Sequence, residues 1–388
     1  MSASSLIRFL LLLALLQVTV QLAGAVDAPP VPAPQVESGA AARPLPVRPQ
    51  APLDTIDYHY QDAFLSEDVT WHGTVVIDGW LTLAPQATIT VDPGTVVRFR
   101  HVSGSTSGLM VRGRLNVAGS SREPVRFTSM QLEPLPGDWI GIVFAATDKK
   151  NQLAHLRIQG AIEGIRASFA SLSLTDVAFD QCRTGMRLQD TQATMTGGSI
   201  SGGEAGIIMD NSELDVQDAA LSDSGRAMVG TRSSLLMTGC TLSHCPGQAL
   251  RLEHCRLRLE RSTFDNNLGG GALIESEGTI IGTRFIDNRE SGLELVQSSL
   301  KISGSVFSGN DIGIKLDTAQ SLLIGNAIYA NKGYNIFYTG GDMLLAGGNW
   351  WGDQPSADVH SRIYDRQADA NRGMVLTEPV LHVSPVGQ

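Results

Sequence analysis

Gly164, Gly185, Gly206, Ala227, Ala249, Gly271, Gly292, Gly313 and Tyr334 open nine successive copies of one unit, each 21 or 22 residues long. A unit this short buries its apolar side chains only by stacking on its neighbours, so the repeat dictates a solenoid before any motif is read. One and three places after the opening residue stand apolar pairs: Ile165 and Ala167, Met186 and Leu188, Ile207 and Met209, Leu293 and Leu295. This is a short strand with every second side chain inward. A second inward position follows, filled in order by Leu174, Met195, Val216, Met237, Leu259, Ile281, Ile302, Ile324 and Leu345. A third is filled by Phe179, Ile200, Leu221, Leu242, Phe264, Phe285, Phe307, Ile328 and Trp350. Three short strands per copy describe one coil of a parallel β-helix.

A helical solenoid is the competing architecture, and composition excludes it. Segments such as Leu300 to Phe307 alternate at period two, and Gly or Asn interrupts every few residues. The corners carry their own signal. Asn267, Asn288, Asn310 and Asn331 recur three residues beyond the third inward position, where Asn tolerates left-handed backbone and stacks amide on amide. Cys182, Gly203, Ser224 and Cys245 take that place in earlier coils. Before Gly164 the coils are longer: Leu81 with Leu83, Ile89 with Val91, Val97 with Phe99, Leu115 with Val117 and Val125 with Phe127 mark the strands, and Met130 to Asp138 reads as a loop leaving the coil.

The chain ends differ from this core. Arg8, an apolar run from Phe9 to Val20 and the small-residue site Ala23-Gly24-Ala25 predict a signal peptide over residues 1–25 and an exported, periplasmic or extracellular protein without a transmembrane anchor after cleavage. An uncleaved anchor is the competing reading. Residues 26–53, rich in Pro and Ala, predict a disordered linker. The β-helix is expected over 54–352 and a cap and tail over 353–388. In the cap, Ser356 opens a short helix through Tyr364, and Trp350 fills the last inward slot. Trp351 reads as cap packing or as a sugar-stacking residue.

A net charge of −10 with no basic patch argues against nucleic acid as a partner. Cys182 and Cys245 share a corner but lie three coils apart, about 14 Å at 4.8 Å per coil and beyond disulfide reach. Cys240, Cys245 and Cys255 fall at different corners, so free thiols are expected, with a Cys240–Cys245 bridge as the least implausible exception. His244-Cys245 and His254-Cys255 look like a metal site in one dimension, yet the coil sets the two pairs at opposite ends of a strand. Neither a metal nor a cofactor is expected.

The strongest candidates for chemistry stand four residues after the opening position: Asp210, Thr231, Glu253, Glu275, Val296 and Asp317. This register stacks Glu253 on Glu275 at about 4.8 Å, near the carboxyl separation of retaining glycosidases. Arg251 points outward from the same strand, following Arg166 and Arg187. Acidic residues on outward strand positions are also ordinary solvated surface.

Trp71-His72-Gly73-Thr74-Val75-Val76, Ile89 to Phe99 with Asp92-Pro93-Gly94, Pro124 to Ser129, Gly137-Asp138-Trp139-Ile140-Gly141-Ile142 and the terminal Asn349-Trp350-Trp351-Gly352-Asp353 together resemble exported right-handed β-helix proteins of the pectin-lyase-like and NosD-like group. The resemblance spans about Val69 to Leu381. It implies an all-β, single-stranded, right-handed parallel β-helix of about 12 coils, three short strands per coil, closed at its C-terminus by a short helix. It carries function weakly, because the group contains binding, structural and enzymatic members. The paired Asp, Gly-His-Gly and Arg-x-Lys signatures of polygalacturonases and the Asp-Pro-His-Asp motif of alginate epimerases are missing. The resulting expectation is a monomeric scaffold that binds a polysaccharide or cell-envelope component without catalysis. The alternatives are a polysaccharide lyase or glycoside hydrolase using Glu253, Glu275 and Arg251, and a NosD-like metal-delivery protein.

Overall fold

A computed structural model describes residues 48–53, 55–100, 106–318, 320–353 and 359–386. The signal peptide, most of the linker and Ser356 lie outside the described residues. The unit that begins at Arg48 is a parallel β-solenoid of about 13 turns. Its strands form three faces. Face A carries the repeat-opening strands, from Glu163–Ser168 through Thr184–Gln189 to Tyr334–Tyr338. Face B is a continuous 12-stranded sheet running from Val69–Trp71 to Leu322–Ile324. Face C holds the short third strands, such as Ala178–Asp180 and Ala327–Tyr329. Faces A and C join in one 25-stranded sheet because Thr74–Leu83 spans both, pairing Val96–Arg100 with its first half and Gly108–Val111 with its second.

The inward rows make one core that runs the length of the solenoid. Ile165, Met186, Ile207, Met228 and Leu250 align on face A, and Phe264, Phe285 and Phe307 stack on face C with centroids 4.7 and 5.0 Å apart. Three positions differ from the expected register. Ile280, Leu323 and Leu344 are the buried residues of the second row, while Ile281, Ile324 and Leu345 are exposed. At the last coil Trp351 is buried and Trp350 only partly so, because Trp350 bridges to Ala327 and so faces outward. Of the expected helix from Ser356 to Tyr364, the described residues hold the 3-10 turn His360–Arg362, and residues 354–358 lie outside them. The turn leads into Ile363–Tyr364, a strand that continues face A.

Most corners from Asp190 onward obey one rule. A residue in left-handed backbone turns the chain, and the next residue is a small hydrogen-bonding side chain that reaches along the stack. Between faces A and B the left-handed residues are Asp190, Asn211, Arg232, His254, Glu275 and Gln297. The amide N–H of Ser212 donates to Ser233 Oγ (3.1 Å), that of Ser233 to Cys255 Sγ (3.4 Å), that of Cys255 to Ser276 Oγ (3.0 Å), and that of Ser276 to Ser298 Oγ (3.1 Å). Between faces B and C the same role falls to Cys240, Ser262, Thr283, Ser305, Asn326 and Asn349. Between faces C and A it falls to Cys245, Asn267, Asn288, Asn310 and Asn331. These bonds satisfy buried amides that the turn removes from the strand ladder.

Candidate functional site

The corner rule decides the fate of the sequence candidates. Glu253 does not stack on Glu275. Its ladder neighbours are Thr231 and Ile274, so the outward row reads Asp210, Thr231, Glu253, Ile274, Val296. Glu275 is the left-handed corner residue one place further on, in the row of Arg232 and His254. The expected register fails because Gly270, not Gly271, aligns with Ala249, since Leu250 pairs with Gly271. Each carboxylate also has its own cationic or hydrogen-bonding partner: Arg251 Nη2 donates to Glu253 Oε1 at 2.6 Å, and His254 Nδ1 lies 3.3 Å from Glu275 Oε2. The loop Met130–Asp138 does not wall this row. It folds over the opposite edge of face A, where the amides of Gly137 and Asp138 donate to Gly160 O. Arg48 reaches the same loop, pairing with Asp138 and Glu133 O.

Both His-Cys pairs are corners: His244 and His254 supply the left-handed turn, Cys245 and Cys255 the ladder side chain that follows. The two thiols therefore belong to different ladders. All four cysteines are free and buried. Burial pushes the Cys182 thiol up to about 12 and that of Cys245 up to about 11, and raises Cys240 and Cys255 as well. Such thiols are poor nucleophiles and poor metal ligands.

The most buried acid on face A escaped the sequence reading. Glu163 stands just before an opening glycine, its side chain 8% exposed, and accepts hydrogen bonds from Arg166 Nε and from Arg187 Nε one coil away. Burial alone would raise its pKa, but the two guanidinium groups outweigh it and hold the carboxyl below its ordinary value. The outward row then runs through Ile208 and Val229 to Arg251, Ala272, Glu294 and Lys315. The clamp shows in sequence only as a Glu three residues before an Arg, which is too common a pattern to single out.

Concave surface lies on face B instead. Gln192, Glu213, Ser234, Arg256, Glu277 and Ser299 form one outward row, and Thr194, Asp215, Leu236, Arg258, Thr279 and Lys301 form the next. A shallow depression of about 560 Å³ surrounds Arg256, Arg258 and Thr279. Another of about 420 Å³ surrounds Gln192, Thr194, Glu213 and Asp215, and the two share Ser234 and Leu236. Gly278 lines the larger of the two. It occupies the inward row between Leu257 and Leu300 with φ +152°, and a Cβ there would stand 1.9 Å from the Leu257 carbonyl oxygen. Along the rows polar side chains link successive coils: Gln192 Nε2 donates to Glu213 Oε2 (2.8 Å), and Arg256 Nε to Glu277 Oε1 (2.7 Å).

Comparison with known proteins agrees with this geometry at the level of fold. Residues 141–279 and 222–350 match the model of the family described as right handed beta helix region, together more than half of the 388 residues. No curated protein matches the chain in sequence. Among solved structures it is similar to tailspike protein 3 of bacteriophage CBA120, at 13% identity over 80% of this chain and 57% of that one, with a TM-score of 0.34. It is also similar to the periplasmic alginate epimerase AlgG, at 10% identity over 79% of this chain and 74% of that one, with a TM-score of 0.38. The A-module of the mannuronan C-5 epimerase AlgE6 from Azotobacter vinelandii is 13% identical over 80% of this chain and 90% of its own, with a TM-score of 0.34. The chain thus spans less than two thirds of the tailspike's length.

Proposed function

The chain belongs to the right-handed β-helix family, and from that premise we propose that it is an exported, monomeric scaffold that binds an extended polysaccharide along face B without cleaving it. One observation carries the reading. Two joined depressions extend across the strands from Gln192–Thr196 to Ser299–Ser303, lined by two rows of side chains that repeat at every coil. Coils repeat at about 4.8 Å, so a polymer lying along the axis meets one side chain from each row at every step. Arg256, Arg258, Glu213, Asp215 and Thr279 offer both signs and hydroxyls, which suits a chain of hydroxyl groups better than it suits a uniformly charged one. The absence of catalysis rests on the separation of Glu253 from Glu275 and on the partners each already holds. Export rests on the apolar run Phe9 to Val20 and the site at Ala23-Gly24-Ala25. No helix among the described residues is long and apolar enough to cross a membrane.

Affinity electrophoresis of the purified chain through gels containing soluble polysaccharides tests this reading. At least one polysaccharide retards the chain, and the double variant Arg256→Ala/Arg258→Ala loses most of that retardation. A chain that no polysaccharide retards contradicts the proposal. So does polymer turnover that Glu253→Gln abolishes, which would move the protein to the hydrolases or lyases.

A further inference from the structure

The outward row of face C changes character at its C-terminal end. From Ala178 it runs through Ser199, Ala220, Thr241 and Thr263, all small, and then becomes Arg284, Val306, Ala327 and Trp350. Tyr329 stands beside this row, its ring 4.9 Å from that of Trp350. The C-terminal tail crosses the same rungs, anchored by the Leu381 amide on Asn349 O, and supplies His382 and Ser384 as an opposite wall. The result is a hollow of about 750 Å³, larger than either depression on face B. It has a directional lining. At one end are the two aromatic rings with Asp353, along the floor the buried Val306 and Ala327, and at the other end Arg284.

The charged groups here are exposed and unpaired. Among the described residues, Arg284, Asp353 and His382 form no ion pair. The indole of Trp351 is buried, lines a second hollow of about 270 Å³ that shares Asp353 and His382 with the first, and its Nε1 finds no acceptor among the described residues. Some other charged groups of the outer faces pair with a neighbour, as Arg251, Arg256 and Lys315 do. A hollow with an aromatic pair at one end, an apolar floor and unpaired charges at both ends is suited to hold a ligand.

We infer that this hollow is a second saccharide site, selective for a short acidic oligosaccharide. The inference rests on the polysaccharide-binding reading of the protein and adds to it a second place with a ligand charge class of its own. A sugar ring lays its apolar C–H face on Trp350 and Tyr329. Asp353 accepts from adjacent hydroxyls of that ring. Arg284, three rungs or about 14 Å away, takes a carboxylate on a unit further along, in the bidentate geometry that guanidinium favours. Val306 and Ala327 leave the space between the two ends unobstructed.

Calorimetric titration of the full chain with a hexuronic-acid trisaccharide, and with the same trisaccharide after its carboxylates are reduced to primary alcohols, tests the site. The acidic trisaccharide binds more tightly than the reduced one. Arg284→Gln weakens the acidic trisaccharide about tenfold and leaves the reduced one unchanged. Trp350→Ala weakens both, and because Trp350 is partly buried, quenching or shift of indole fluorescence on titration of the unmodified chain gives a reading that does not depend on that variant folding. Equal loss for both ligands in Arg284→Gln, or no indole response, overturns the inference. Retardation by polymer that persists while the trisaccharides fail to bind removes the C-terminal site and leaves the face B reading standing. Failure of both removes both.

Discussion

The corner between faces C and A is built twice in this molecule, once with amides and once without. In the later coils Asn267, Asn288, Asn310 and Asn331 stack: each Oδ1 from Asn288 onward accepts both the backbone and the side-chain N–H of the residue one coil earlier, and each Nδ2 also reaches a carbonyl of a preceding coil. In the earlier coils the same slot holds Cys182, Gly203 and Ser224, where Ser224 Oγ donates to Gly202 O and Cys182 Sγ to Ile158 O. Those earlier coils are also tied at the surface, through Glu163 to Arg187 and His155 to Asp176. The difference teaches that a solenoid needs its corner amides satisfied rather than a particular residue to satisfy them.

Cutting into the amide half at its core gives the largest effect. Phe285→Ala removes the middle ring of a three-ring stack and is expected to cost about 4 kcal/mol, whereas Leu221→Ala, at the equivalent place in an earlier coil, should cost about 3 kcal/mol. Chemical denaturation of the two variants compares them directly, and equal losses would show that the stacking adds nothing beyond burial. Next comes the ladder itself. Asn310→Ala leaves the amide groups of Asn288 and Asn331 short of partners and should cost about 3 kcal/mol, against about 1 kcal/mol for Ser224→Ala in the other half. If the two substitutions cost the same, the contrast between the halves is one of sequence and not of energy.

The surface ties of the earlier half are tested by Glu163→Gln, which leaves Arg166 and Arg187 facing each other and should cost about 2 kcal/mol at neutral pH. In the unmodified protein this carboxyl is held below its ordinary value of 4.5. Its contribution is therefore complete above the unfolded pKa and is lost as pH falls through the folded one. Melting temperatures of the two forms should converge in that acid range, and a constant difference down to low pH would contradict the clamp. The smallest effect is expected at Cys255, which accepts the Ser233 amide and donates to Glu253 O as the neighbouring serines do. Cys255→Ser should change stability by about 0.5 kcal/mol or less; a larger loss would mean that the slot requires sulfur.

Much of this was legible in the residues, and the places where it was not share a cause. The inward partners Ile165 with Met186, Phe264 with Phe285 and Phe307, and the Asn row all stand where the repeat puts them. The slips fall on Gly269-Gly270-Gly271, Ile280-Ile281, Leu322-Leu323-Ile324, Leu344-Leu345 and Trp350-Trp351. Alternation at period two cannot choose between adjacent residues of the same type, and one residue of slip exchanges the two faces of a strand. The Glu253 and Glu275 candidates depended on the first of these runs. The corner serines held the needed signal, since Cys255, Ser276 and Ser298 mark the turns independently of the apolar pattern.

The sequence by itself determined a stacked, three-faced β architecture, because a unit of 21 or 22 residues has no other way to bury its side chains. It also determined the corner chemistry, because left-handed turns admit few residue types. Only the tertiary structure decided which carboxylates meet, which tryptophan is buried and which faces are concave. Those properties depend on the register between coils and on where the tail returns across face C, and both are set by hydrogen bonds between residues distant along the chain.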